Sequence, residues 1–175
     1  MLTTPALPPR PLARRFAPVA SVLRAPVRAD TWRRTAYTVV ALPVALASVP
    51  LSLVGGPSGR LQRGVARALL RLEVGEPART GPRALAHALL ATPLNFLILV
   101  ITGYGWSLAL LNLAYPARPL VGLGSGGANA WGGPTLAGAW AFHALTGGLG
   151  FLLLMPWIVK GLTWIQGRLV RGLLG

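Results

Sequence analysis

Residues 84–113 read ALAHALLATPLNFLILVITGYGWSLALLNL, a run without a single Asp, Glu, Lys or Arg. A helix rises about 1.5 Å per residue and a bilayer offers about 30 Å of hydrocarbon, so roughly 20 such residues cross it. Ala84–Leu113 is therefore read as a transmembrane helix with turns to spare, tilted or projecting into the headgroups, and Pro93 marks the expected kink. His87 falls near its cytoplasmic interface. The next uncharged run, Gly138–Val159, has the length of a second crossing. It carries His143 and closes on Pro156 and Trp157, whose indole suits the membrane interface.

The flanks orient these two helices. Residues 1–34 carry +6, residues 60–83 carry +4, residues 114–137 only +1 and residues 160–175 carry +3, within a net charge of +14. Basic charge is retained on the cytoplasmic side, so 60–83 and the C-terminus are expected inside and the Gly- and Pro-rich loop 114–137 outside, in a multi-pass protein of the cytoplasmic membrane. Charge that flanks apolar runs and avoids one loop is not a nucleic-acid footprint. Charged residues make up 11% of the chain, whereas soluble domains carry about 25%. The absence of cysteine excludes disulfides, thiolate metal sites and cysteine nucleophiles together.

Further out the signals weaken. Residues 1–34 interleave Pro5, Pro8, Pro9, Pro11, Pro18 and Pro26 with arginine and are expected to form a disordered basic arm along the anionic leaflet. Residues 35–56 are apolar but broken by Pro43 and Pro50, with Arg33 and Arg34 before them and Arg60 after. One crossing would place a basic flank outside, so this shortened membrane segment either breaks the charge rule or enters and leaves by the same face. A cleaved signal peptide, with Ala45-Leu46-Ala47 as the cleavage-like site, is the weaker alternative. Residues 60–73 place Leu61, Val65, Leu69 and Leu72 on one helical face and Arg60, Arg63, Arg67 and Arg71 on another. Residues 160–174 repeat the design, with Leu162, Ile165, Leu169 and Leu173 beside Lys160, Arg168 and Arg171. Both read as amphipathic helices lying in the interface, and these seven cations are the candidate membrane-contact and output residues.

Residues 61–70 and 165–174 share Gln, Arg, Leu and Leu at matching positions, and Arg33 precedes Pro43 by the same ten residues that separate Arg83 from Pro93. The chain reads as two copies of one unit, the first short of about one membrane helix. Trp32-Arg33-Arg34-Thr35-Ala36-Tyr37 leading into Ala41-Leu42-Pro43, the stretch Trp106–Pro116, and Met155-Pro156-Trp157-Ile158-Val159-Lys160-Gly161-Leu162 with the Arg–Leu tail resemble the sensor-domain family of bacterial membrane proteins. Members of that family are found ahead of histidine kinase modules and as free-standing proteins, and look like two helical hairpins. The resemblance implies membrane signal input, an all-α fold over 35–175, and a histidine kinase or other membrane protein as partner. It implies no catalytic residue.

The residues themselves suggest none either. Asp30, Glu73 and Glu76 are the only carboxylates and lie outside the two clear spans, which leaves no paired general acid and base. The Gly122–Gly127 stretch lacks the Lys and Ser/Thr of a phosphate loop. No enzyme, cofactor or metal is therefore expected. Asn129, Trp131 and His143 are the candidate signal-input residues. The rival reading is a small transporter or channel accessory subunit, with His143 near the pathway.

Overall fold

Three helices have the length and composition to cross a membrane, one more than the two clear spans of the sequence. The computed structural model describes residues 19–75, 81–123 and 129–175, and among the described residues the fold is all-helical without a strand. Its main helices are α1 (Ala29–Leu53), α2 (Ser58–Leu70), α3 (Gly81–Leu113) and α4 (Leu136–Leu174).

The path that the sequence leaves open is that of α1. Instead of turning back on itself, the segment is one helix of 25 residues that begins inside the basic arm and runs through both Pro43 and Pro50. Each proline removes one backbone donor, a loss that membrane helices tolerate within a bundle. At about 1.5 Å per residue α1 reaches roughly 37 Å, enough to cross. The arm is helical over residues 19–24 and passes through a 3-10 turn at Ala25–Val27 into α1, while its residues 1–18 lie outside the described residues.

The expected boundary at Lys160 is not a break. α4 is continuous for 39 residues, because a lone Gly161 after Pro156 weakens the helix without ending it. Its one irregularity is a π-helical segment at Ala144–Leu149.

Side-chain contacts fix how the helices run. Trp32 stacks on Trp106 at 5.0 Å, Trp106 Nε1 donates to Thr35 Oγ1 at 3.3 Å, and Asn95 Nδ2 donates to the Ala41 carbonyl at 3.0 Å, so α1 and α3 are antiparallel. α4 is antiparallel to α3, since Gly105 faces Met155 and Asn112 faces Gly147. α2 folds back along α1 from a Ser52–Ser58 hydroxyl bond of 2.6 Å, and Ala66 and Leu70 join Tyr37, Ala41, Ala84 and Leu174 in the main core cluster. The α1–α2 turn, the start of α3 and the end of α4 therefore share one end of the bundle, and the segment between α3 and α4 occupies the other.

The interior is built largely from small and polar side chains. α2 buries Gln62, Arg63, Ala66 and Leu70, and the last turns of α4 bury Gln166, Gly167, Val170 and Leu174. Leu61 and Ile165 are exposed, and Val65, Leu69, Leu162, Leu169 and Leu173 are half-buried. A leucine gains nothing by leaving lipid for protein, whereas small residues let helices approach closely, so the stripes lie at the edge of the bundle, with Val65, Leu69 and Leu72 packed against its core cluster. The alternation of buried and exposed positions over residues 37–51 recurs position for position at 87–101, and that of residues 59–71 recurs at 163–175.

Candidate functional site

At the loop end of the bundle a hollow of about 280 Å³ is lined by Leu111, Asn112, Tyr115, Arg118, Leu123 and His143. α3 stops at Leu113 because Pro116 and Pro119 supply no backbone donor, and the chain tightens into a 3-10 helix, Tyr115–Val121, closed by Gly122 at φ 76°. Thr135 then caps α4 by accepting from the Gly138 amide at 3.1 Å. Trp140 Nε1 donates at 3.1 Å to the Leu113 carbonyl, one of the acceptors a helix end leaves open.

These turns set an aromatic chain around the hollow. His143 stacks on Tyr115 with ring centroids 4.3 Å apart, and the Arg118 guanidinium lies over the same tyrosine ring at 4.9 Å. Phe142 meets His143 edge-on at 5.7 Å and Trp131 meets Phe142 edge-on at 5.7 Å. His143 Nδ1 donates to the Ala139 carbonyl at 2.8 Å. The π-helical segment begins at the next residue, Ala144. A Cβ at Gly147 would land on the Asn112 side chain and one at Gly148 on Leu113, so only glycine permits this close crossing of α3 and α4.

Of the three candidate input residues, His143 lines the hollow, Trp131 reaches it through Phe142 while itself 74% exposed, and Asn129 is exposed and outside the lining. Tyr115, Arg118 and Asn112 were not anticipated. One signal for them was present, since Arg118 is the only charged residue between Arg83 and Lys160. No family model matches this chain. Comparison with curated proteins and with solved structures returns no match either.

The candidate output residues divide. Arg60, Arg67, Arg71, Lys160, Arg168 and Arg171 are exposed, but Arg63 is turned inward, 3% exposed, with Nε and Nη1 lacking partners among the described residues. It is buried beside Gln62 on α2 and does not share the exposure of the arginine face drawn from the sequence. Arg67 donates to the Val74 carbonyl, and Arg71 ends α2 in the left-handed region at φ 54°. Lys160 and Arg168 sit over Trp157 and Trp164 at 5.7 and 5.5 Å. Input and output are not adjacent: about 42 Å of helix separate His143 from Arg171 along α4.

A second polar group lies inside the bundle. Gln62 is hydrogen-bonded to His87 Nδ1, and Gln166 donates to Asn95 Oδ1, which itself anchors α3 to Ala41 of α1. His87 is thus buried inside the bundle, near the start of α3. Among the described residues no three potential metal ligands converge.

Proposed function

We propose that the protein is a non-enzymatic multi-pass membrane sensor module of the cytoplasmic membrane. The hollow at Tyr115, Arg118 and His143 receives an external or bilayer signal, and α4 carries it to a cytoplasmic or membrane partner such as a two-component kinase. The carrying observation is that α4 runs unbroken from His143 to Leu174 and holds its π-helical segment directly beside His143. π segments recur at functional sites, and passing between π and α registers rotates everything beyond by about a third of a turn. That is a two-state element which a ligand at one end can bias. A lone guanidinium beside aromatic faces, with Leu111 and Leu123, suits an anion with an apolar body.

The proposal is tested in cells through a transcriptional reporter downstream of the partner. Tyr115→Ala with Arg118→Gln removes the stimulus response while membrane insertion continues. Arg168→Glu with Arg171→Glu fixes the reporter at one level whatever the stimulus. A wild-type response from the Tyr115/Arg118 variant overturns the assignment of the input.

One observation favours the transporter reading as second. We read the recurring exposure pattern as two degenerate copies of one unit, and α1 and α3, its matching helices, run antiparallel. Antiparallel repeats with buried polar groups at their junction, here Gln62, His87, Asn95 and Gln166, are how many transporters form a central site. Loss of solute uptake in His87→Ala with an intact reporter response selects this reading.

A further inference from the structure

Beside the start of α1 the structure contains a second cleft, about 160 Å³, between residues 21–34 and the Pro156–Lys160 turn of α4. Its lining includes Arg28, Asp30, Arg34, Trp157 and Lys160. We propose that this cleft binds the phosphodiester headgroup of an anionic glycerophospholipid.

Charge is the first argument. Three cations face one carboxylate, and that carboxylate is already engaged: Arg34 Nε donates to Asp30 Oδ2 at 2.7 Å and Arg33 Nη2 to Asp30 Oδ1 at 3.3 Å. Arg34 is held further by a 3.0 Å bond to Thr163 Oγ1. Arg28 and Lys160 have no carboxylate partner among the described residues, and Glu73 lines a separate hollow with Arg67 and Arg71. A phosphodiester supplies the missing negative charge and several acceptor oxygens, to which a guanidinium and an ammonium are matched donors.

Position is the second argument. Trp157 and Trp32 are each about half exposed, and Trp32 is stacked on Trp106 on the next helix. A group of indoles beside lysine and arginine marks the headgroup level of a bilayer. Exposed Val27, beside Arg28, and exposed Leu154, three residues before Trp157, provide an apolar surface for acyl chains. A free anion needs no such surface, and a zwitterionic headgroup brings an ammonium that the surplus cations repel.

The test is native mass spectrometry of the full chain in detergent, titrated with phosphatidylglycerol or with phosphatidylcholine of the same acyl chains. The wild type binds the anionic lipid preferentially. Lys160→Gln, a change at an exposed side chain, weakens that binding about fivefold, and Arg28→Gln with Lys160→Gln weakens it about 25-fold, without altering phosphatidylcholine binding. Arg168→Gln with Arg171→Gln removes the same charge elsewhere and leaves the preference intact. Equal weakening by both double variants overturns the site in favour of diffuse attraction. Equal affinity for the two lipids overturns it as well, and displacement of the lipid by millimolar inorganic phosphate reassigns the cleft to a free anion.

Discussion

Asn95 shows how a single side chain orders this bundle. It accepts from Gln166 on α4 and donates to the Ala41 carbonyl on α1, so one amide ties three helices. Replacing it with leucine leaves the Gln166 amide without an acceptor inside the protein. Asn95→Leu is expected to cost about 1–2 kcal/mol, and adding Gln166→Leu to recover part of it, since the orphaned donor is then gone. The midpoint of unfolding in mixed detergent micelles, followed by helical circular dichroism, measures both. Gly105 makes a steric counterpart. The three atoms nearest a Cβ there all belong to the Met155 side chain, so Gly105→Leu is expected to destabilise by about 1–3 kcal/mol and Met155→Ala to relieve most of the loss. Neither contact was legible in the sequence. Asn95 and Gln166 are 71 residues apart, and an amide in an apolar run announces a need for a partner without naming it.

The elements were easier to read than their faces. Ala84–Leu113 and the apolar run after residue 138 announce themselves by the absence of charge, and the structure returns Gly81–Leu113 and Leu136–Leu174. The stripes over 60–73 and 160–174 were visible, yet which side faces protein was not, because the rule that leucine turns inward holds in water and lapses in lipid. The path of α1 is open in the sequence for a related reason: Pro43 and Pro50 would end a helix in solution, and the charge rule argues against the crossing whose length α1 has. With no native cysteine, cross-linking decides this cleanly. Arg34 reaches Thr163 in the structure, so Arg34→Cys with Thr163→Cys is expected to join through a short bifunctional thiol reagent. Val49 stands about 22 Å further along a continuous α1, and Val49→Cys with Thr163→Cys is expected to stay apart. A link at Val49 restores the re-entrant segment. At the loop end the sequence located His143 and Trp131, but the Tyr115–Arg118 stack depends on a 3-10 turn that only the fold reveals.

At the scale of the whole molecule, the antiparallel path places the α1–α2 turn and the end of α4 together, opposite the segment between α3 and α4. Reporter fusions after Gly75 and after Gly175 are therefore expected to be active in the cytoplasm, and a fusion after Gly122 outside. A crossing α1 adds a tension absent from a simple hairpin protein. It separates the arm, +6 over residues 1–34, from the +4 of residues 60–83, and the charge rule wants both inside. Residues 60–83 acting with the +3 of residues 160–175 then stand against the arm and the +1 of residues 114–137, +7 against +7. So even a balance is expected to be easy to tip. Arg60→Gln, Arg71→Gln and Arg83→Gln together remove three of the seven charges, at exposed positions. In that variant the Gly75 fusion is expected to divide between cytoplasmic and external reporter activity, and removal of residues 1–18, which carry Arg10, Arg14 and Arg15, to return it to the cytoplasm. A Gly75 fusion that stays wholly cytoplasmic in the triple variant would mean that α3 and α4 alone orient the chain and that α1 follows them.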